Sequence, residues 1–320
     1  MESPPPGAGG GAATIVLRRL RRSSKTATEI PVSARGRRLG WRLVTPALIV
    51  LTLVNAVPII FGTVLAFYNW DLINQPSATF AGLNNFVQLF TTDTEFQQAG
   101  VQTLKLMGIA LPLEGLLGLG IALLLDQGLF GSRAVGTLLL VPMTISSAIV
   151  GFLFSNLFDQ SLGPINYLLS VVGLPGPAWL SSPSLAIVSI ALVDAWQWTP
   201  FLVLIFLAGL RSLPTEPGEA AHADGANAWQ RFRHVTLPLL APVLALGLLL
   251  RAMDIFKTFD IIYILTYGGP GTSSETLSFY GYKTGFLLFE LGYGSAISFI
   301  MVQVFILFTV VFYQLAKQEL

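Results

Sequence analysis

Six long apolar stretches constrain the fold of this chain more than any other feature of its sequence. A helix of about 18 or more apolar residues is long enough to cross the hydrocarbon layer of a bilayer, which is about 30 Å thick. Only 11% of the residues are charged and the mean hydropathy is +0.69, which excludes an ordinary soluble protein of this length. The sequence therefore predicts an all-α membrane protein with six transmembrane helices. We place them at residues 43–68, 101–125, 135–158, 185–210, 239–259 and 295–313, within a domain that covers 43–316.

The distribution of lysine and arginine predicts the orientation of these helices. Nine of the 18 lie before the first apolar stretch, and five more lie on the same side of a six-helix arrangement. The segments assigned to the opposite side contain Lys283 alone, together with six acidic residues: Asp71, Asp93, Glu95, Asp159, Glu275 and Glu290. By the positive-inside rule, we expect both termini and the loops at 126–134 and 211–237 to be cytoplasmic.

The first 42 residues are rich in proline, glycine and alanine and then become basic. They lack the sustained apolar periodicity that a folded core needs, so we expect a disordered cytoplasmic tail that contacts anionic lipid or fixes the orientation of the first helix. The chain has no cysteine and only two histidines, and we therefore expect no disulfide and no metal site. We expect no nucleic-acid partner.

The sequence offers no catalytic centre and no energy source of its own. A nucleotide-binding P-loop, G-x-x-x-x-G-K-[ST], does not occur, and the glycine-rich segment at 268–272 lacks the lysine. If the chain is a transporter, it must be driven by an ion gradient or by a separate ATPase.

The 212–238 loop between the fourth and fifth apolar stretches predicts two short helices. Thr215 is placed to cap the first helix, which begins near Glu216, and Gly225 is placed to end it in a left-handed conformation. The second helix, residues 228–235, carries Trp229 and Phe232 on one face and leads into Pro238. Two compact helices of this kind transmit a movement better than an extended loop.

The loop also resembles a known motif. The stretch EAAHADGANAWQRFRHVTLP, residues 219–238, is similar to the EAA loop of permease subunits in binding-protein-dependent ABC importers. The resemblance implies that this loop docks onto a separate ATPase, and that the positions in contact include Glu219, Ala220, Ala221, Asp224, Gly225, Phe232, Leu237 and Pro238. Gly218 departs from the pattern, because relatives often have a larger residue there.

Further segments resemble the carbohydrate-type permeases of this family. They are FAGLNNF at 80–86, RAMDIFKTFDIIY at 251–263, GGP at 268–270, SETL at 274–277 and LGYGSA at 291–296. The resemblance implies the first permease of a sugar or sugar-derivative importer in a bacterial cytoplasmic membrane. Its implied partners are a second permease, two ATPase subunits and an extracytoplasmic binding protein. This chain itself would bind no cofactor, since ATP and Mg²⁺ would lie on the ATPase.

Polar residues within the apolar stretches are candidates for the substrate pathway, because ionisable groups at membrane depth normally face a bundle interior or a wet cavity. In the fifth stretch, charges of alternating sign at i, i+3 spacing either lock the helix to its neighbours or contact a polyhydroxyl ligand. The fourth stretch offers a carboxylate, an amide and indoles, which suit a sugar or, alternatively, a helix interface. These candidates are Asp194, Trp196, Gln197, Trp198, Arg251, Asp254, Lys257, Asp260 and Tyr263.

One further acid lies within the apolar stretches, and two other functions are compatible with the sequence. Glu114 lies alone in the second stretch, and we expect a structural pairing with Arg251 or Lys257 in preference to a proton relay. A secondary transporter would instead use Glu114, Asp194 and Asp254 as a proton path, although such transporters commonly contain internal repeats that are not seen here. A channel or scaffold would give the 219–238 pattern no role.

Overall fold

The computed structural model describes residues 34–128 and 131–318, so most of the predicted N-terminal tail lies outside the described residues. The chain divides after Ile59 into two units, and α1 crosses that boundary. The helices are α1 (Ala34–Leu65), α2 (Asn84–Thr91), α3 (Thr94–Asp126), α4 (Ser132–Leu139), α5 (Val141–Thr144), α6 (Ser147–Leu157), α7 (Pro164–Val171), α8 (Ala186–Ser212), α9 (Glu216–Ala223), α10 (Ala228–Arg231), α11 (Leu237–Phe256), α12 (Asp260–Leu265), α13 (Leu277–Tyr282) and α14 (Leu291–Gln318). Short π-helical turns, Phe232–Thr236 and Lys283–Leu287, precede α11 and follow α13.

Five continuous helical segments in the described residues are long and apolar enough to cross a membrane. They lie in α1, in α3, in α8, in the segment from α10 to α11, and in α14, and they agree with five of the six predicted stretches. The helix α1 begins at Ala34, nine residues before the predicted start, so residues 34–42 of the predicted tail are helical. The chain therefore has an all-α membrane architecture.

The third predicted stretch is not one helix, which corrects the sequence prediction for 135–158. It is broken into α4, α5 and α6. The segment Ala134–Thr144, which covers most of α4 and all of α5, meets α6 at a bend of 95°. Ile145 and Ser146 adopt extended backbone conformations at the break. A broken helix leaves backbone groups without intrahelical partners, and the side chain of Gln197 donates a 2.9 Å hydrogen bond to the Ile145 carbonyl. The freed carbonyl is thereby satisfied inside the protein.

A two-stranded hairpin was not predicted from the sequence. β1 (Tyr68–Asp71) pairs antiparallel with β2 (Gln75–Phe80), directly after α1. The hairpin packs against the start of α14, where the Leu72 amide donates to the Phe289 carbonyl. Gly292 permits this contact, because a Cβ atom there would meet the Tyr68 carbonyl oxygen and would lie 3.0 Å from the Trp70 amide nitrogen.

Three apolar clusters hold the second unit together; α3 contributes to all three, and α8 contributes to two. The first cluster joins α3, α6, α8 and α12 around Leu106, Ile190 and Ile261. The second joins α3, α8 and α11 around Phe206 and Leu240. The third gathers the start of α3, α13 and the first half of α14. Glu114, Asp194 and Arg251 lie between the first two clusters along α3, α8 and α11.

Polar contacts tie the first turn of α3 to α13 and α14. The Asp93 carboxylate caps α3 by accepting from the Phe96 amide, and it also accepts 2.7 Å hydrogen bonds from the Tyr280 and Tyr293 hydroxyls. The Lys283 ammonium donates to Glu95 at 2.9 Å and to Glu275 at 3.1 Å. Burial opposes the charged form of Lys283, but its bonds to the two carboxylates outweigh this effect and raise its pKa.

We expect Gly292→Ala to destabilise the protein by about 1–3 kcal/mol, because the added methyl group has no space beside the β1 backbone. Gly108→Ala in α3 is the matched control, since a Cβ atom there meets nothing within 4 Å and alanine favours a helix interior by about 1 kcal/mol. Thermal unfolding in mild detergent measures both. Equal melting temperatures for the two variants would contradict the close approach of the hairpin to α14.

Candidate functional site

A buried cluster of charges lies at the centre of the helix bundle. The Arg251 guanidinium donates through Nε to Glu114 Oε2 at 2.6 Å and through Nη2 to Glu114 Oε1 at 2.9 Å. The same Nη2 donates to Asp194 Oδ2 at 2.7 Å. All three side chains are at least 98% buried. The predicted pairing of Glu114 with Arg251 is therefore present, and Asp194 is a second partner that the sequence did not indicate.

The three side chains of this cluster come from three different helices. Glu114 follows Pro112 in α3, Asp194 lies in the first half of α8, and Arg251 lies near the end of α11. A guanidinium presents several donors in a fixed plane, so one side chain can bind carboxylates on two helices at once. Charged groups that are removed from water must be paired, and removing one partner is costly. The cluster thus fixes α3, α8 and α11 to one another.

An open cavity of about 450 Å³ begins beside this cluster. Asp254 lies 3.8 Å from Arg251 Nη1 and 2.9 Å from the Lys257 ammonium, which extends the chain of charges from the buried core to the exposed surface. The Arg251 guanidinium carbon lies 5.3 Å from the centre of the Trp198 ring, within cation–π range. The residues that line the cavity are Ser147, Asp194, Trp198, Arg251, Asp254, Lys257, Thr258, Phe259, Asp260 and Ile261.

Three predicted pathway residues do not line this cavity. Trp196 contacts Phe154, with ring centres 5.2 Å apart, and the amide nitrogen of Gln197 is used at the break before α6. Tyr263 stacks on Phe259 at 5.4 Å instead of facing the charges. The sequence spacing correctly predicts that Asp194 and Trp198 share a helix face. It does not reveal that Gln197 hydrogen-bonds the backbone at the break before α6.

The predicted charge ladder is also shorter than expected. α11 ends at Phe256, and Asp260 begins the separate helix α12, so only Arg251, Asp254 and Lys257 form a continuous series. The break brings Thr258 and Phe259 to the cavity, and sequence analysis missed both. A hydroxyl, an aromatic ring and exposed charges of both signs can together hydrogen-bond the hydroxyls and cover the C–H face of a polyhydroxyl molecule.

The 212–238 loop is the second candidate functional element. α9 runs from Glu216 to Ala223, as predicted, and Gly225 follows it with φ of +85°. The Ala226 amide donates to the Ala221 carbonyl, which closes the end of the helix around Gly225. Thr215 precedes the helix, but its side chain makes no capping hydrogen bond, so the predicted cap is wrong in that respect. Its own backbone is already helical, which turns the hydroxyl away from the first amides.

The second helix of the loop begins at Ala228, as predicted, and the chain stays helical through Val235, but only Ala228–Arg231 is regular α-helix. Asn227 and Gln230 cap each other reciprocally at the start of α10. α10 then widens into the π-helical turn Phe232–Thr236, because Pro238 has no amide hydrogen to continue the regular helical pattern. Trp229 and Phe232 share a face, with ring centres 5.6 Å apart.

The coupling positions named from the sequence differ in exposure. Glu219, Ala220, Asp224, Gly225 and Pro238 are exposed, whereas Ala221, Phe232 and Leu237 are half-buried. The exposed residues are therefore open to a partner, and the half-buried ones connect them to the rest of the loop and to α11. The exposed helix α9 is thus followed, after the reversal at Gly225, by a helical segment that runs from Ala228 to Arg251 and beyond.

We expect Arg251→Met to destabilise the protein by about 3–5 kcal/mol, because Glu114 and Asp194 would remain buried without a cation. Lys257→Met, on the same chain of charges but 61% exposed, should cost no more than about 1 kcal/mol. Thermal unfolding of the purified variants in mild detergent measures the difference. A loss for Lys257→Met as large as that for Arg251→Met would contradict a central role for the buried cluster.

Known proteins are similar to this chain over most of its length, including the 212–238 loop and most of the buried charge cluster. A family model described as "Binding-protein-dependent transport system inner membrane component" matches residues 115–318. The chain is 41% identical over 263 residues to a probable ABC transporter permease protein, y4oQ, of Sinorhizobium fredii, covering 82% of this chain and 84% of the relative. It is 35% identical over 286 residues to the trehalose/maltose transport system permease protein MalF of Thermococcus litoralis, covering 88% and 95%.

A solved structure has the same fold. A chain of a bacterial alginate ABC transporter, crystallised in complex with an alginate-bound periplasmic protein, superposes with a TM-score of 0.75 at 24% identity and covers 90% of this chain and 98% of its own. The family match includes Asp194, Arg251 and the whole 212–238 loop. The chain is therefore a multi-pass membrane protein and a transport subunit, and it belongs to the family of binding-protein-dependent transport system inner membrane components, the permeases of ABC importers.

Proposed function

We propose that this permease imports a sugar or sugar derivative, which a binding protein delivers from outside a bacterial cytoplasmic membrane. The observation that carries the proposal is the cavity beside Arg251, where exposed charges, a hydroxyl and aromatic rings adjoin one another. These groups suit an uncharged polyhydroxyl molecule, because the charges of Asp254 and Lys257 already compensate each other. The relative from Thermococcus litoralis, described as a trehalose/maltose transport system permease protein, agrees with this substrate class.

Transport would need partners, because no nucleotide-binding loop occurs in this sequence. We propose a second permease that completes the pathway and two ATPase subunits that bind ATP and Mg²⁺. Each permease would present its EAA loop to one ATPase. The exposed side chains of α9, followed by the sharp reversal at Gly225, fit insertion of a short helix into a surface groove of the ATPase.

Coupling would follow the continuous helical connection from the loop to the cavity. Closure of the ATPase dimer on ATP would displace α9, and α10 and the π-helical turn would pass this displacement to α11. Because Arg251 binds α3 and α8 at the far end of α11, the three helices would move together. The cavity would then open outward to receive the sugar.

Co-purification from the native membrane tests the coupling part of this proposal. Gly225→Val should abolish recovery of the ATPase, because a β-branched residue does not tolerate φ of +85° and the loop would lose its reversal. Gly128→Val is the matched control, since Gly128 also has a positive φ and open space around it but lies outside the EAA loop. Mass spectrometry of the proteins recovered with the tagged chain gives the result.

The outcomes of this experiment are distinct. Recovery of an ATPase and a second permease with the wild type and with Gly128→Val, but loss of the ATPase with Gly225→Val, supports the proposal. If the wild type is recovered without an ATPase, the EAA loop is not a docking element in this protein.

Uptake of sugar tests the pathway part. We expect Asp254→Asn to reduce uptake of radiolabelled trehalose or maltose at least several-fold in the complete transporter, because a carboxylate that accepts hydroxyl hydrogen bonds in the cavity is lost. Trp196→Phe serves as the control, since Trp196 lies outside the cavity lining and contacts Phe154. Equal uptake by both variants, at equal amounts of assembled complex, would exclude Asp254 from the pathway.

A further inference from the structure

The chain from Gln160 to the start of α8 is unusual because it carries no charged side chain; the nearest charged residues are Asp159 on one side and Asp194 on the other. No Asp, Glu, Lys or Arg occurs from Gln160 to Val193, although the part that precedes α8 connects two membrane-crossing stretches outside the bundle. The short helix α7 lies within this segment. A loop that simply crosses water would be expected to carry charged side chains.

One side of α7 is anchored firmly to the protein. Asn166 is 7% exposed, and its amide nitrogen donates to the carbonyls of Gln160 and Pro177. Its carbonyl oxygen accepts a 2.8 Å hydrogen bond from the Trp179 indole. The Trp179 ring stacks on Phe158 with centres 5.1 Å apart. These contacts fix both the position and the rotation of α7.

The anchor also fixes the height of α7 relative to the membrane-crossing helices. Trp179 and Ile165 pack against the cluster that includes Leu106 and Ile187. Ile187 lies in the first turn of α8, and Leu106 lies close to the start of the apolar part of α3 at Val101. The anchored side of α7 therefore lies where the membrane-crossing stretches of α3 and α8 begin, at the end of the bundle that is opposite the EAA loop.

The other side of α7 presents large apolar side chains that nothing in the described residues covers. Each of them is at least 64% exposed: Leu162, Tyr167, Leu168, Val171 and Val172. Full burial of one such aliphatic side chain is worth about 1.5–3 kcal/mol, so exposure of the whole set to water would be unfavourable. A contiguous apolar patch of this kind marks a contact with a membrane or another protein.

We propose that α7 lies in the plane of the bilayer at this end of the bundle, with its apolar side inserted between the lipid headgroups and the outermost acyl chains. The level fixed by packing of Trp179 against the cluster that includes Leu106, the lack of charged side chains from Gln160 to Val193, and the covalent connections to the broken third stretch on one side and to α8 on the other all favour lipid over a soluble protein partner. Tyr167 adds an aromatic side chain with a polar tip, a type that is enriched at this depth.

This placement gives α7 a mechanical role at the broken third stretch. α6 precedes α7 directly and packs against α12, which carries the cavity residues Asp260 and Ile261. A helix held at the bilayer surface would keep α6 and α12 at a constant depth while other helices move.

Site-directed spin labelling tests the proposal, and the absence of cysteine from this chain makes single labels unambiguous. Labels at Leu168→Cys and Val171→Cys are compared with Ser77→Cys, an exposed position in the β2 strand on the same side of the bundle. The complete transporter, with cysteine-free partner subunits, is reconstituted in nanodiscs of phosphatidylcholine and phosphatidylglycerol. Collision with oxygen, which concentrates in lipid, and with a water-soluble nickel chelate is then measured at each site.

The expected result is that labels at 168 and 171 collide more with oxygen than with the nickel chelate, and that the label at 77 shows the opposite. A preference for the nickel chelate at 168 and 171 would overturn the proposal. It would also be overturned if these labels lost their access to the nickel chelate only when the binding protein is added, because the binding protein would then be the partner of α7. Immobilised labels that neither reagent reaches would also overturn it, because they would place a protein subunit on α7.

Discussion

The structure depends on one guanidinium that is removed from water between two carboxylates. Arg251 joins α11 to α3 through Glu114 and to α8 through Asp194, and all three groups are almost fully buried. Such an arrangement is stable only when every partner is present, since an unpaired buried charge is costly. The helices that carry the cluster therefore have one relative position at this level, and the apolar clusters on either side pack around it.

The cavity exists because two membrane-crossing stretches are interrupted near this cluster. α11 ends at Phe256 and the chain turns before α12, while the third stretch bends between α5 and α6. Irregular backbone at membrane depth is tolerated only where protein or a wet cavity satisfies its polar groups. Gln197 satisfies one such group, and the charges from Arg251 to Lys257 border the open side. The helix breaks, the charged side chains and the opening of the cavity thus occur at the same place in the bundle.

The 212–238 loop and the buried cluster are linked by covalent continuity more than by packing. From Ala228 onward the chain is helical through α10, the π-helical turn and α11 to Phe256. The mutual cap of Asn227 and Gln230 fixes the start of this connection, and Arg251 fixes its end. In the coupling that we propose, a displacement at the loop would reach the cavity through this single helical segment, which contains the π turn Phe232–Thr236.

The sequence by itself determined the membrane class, five of the six crossing stretches, the reversal at Gly225 and the family motif, because apolar length, glycine conformation and local spacing are properties of short segments. Only the tertiary structure decided that Arg251 binds Asp194 as well as Glu114, that Trp196, Gln197 and Tyr263 lie outside the cavity lining, and that a hairpin packs on Gly292. Which side chains pair between different helices depends on how each helix is rotated about its axis, how deep it lies in the bundle and where it breaks. Those features are set by packing between segments that lie far apart in the chain, which local periodicity does not contain.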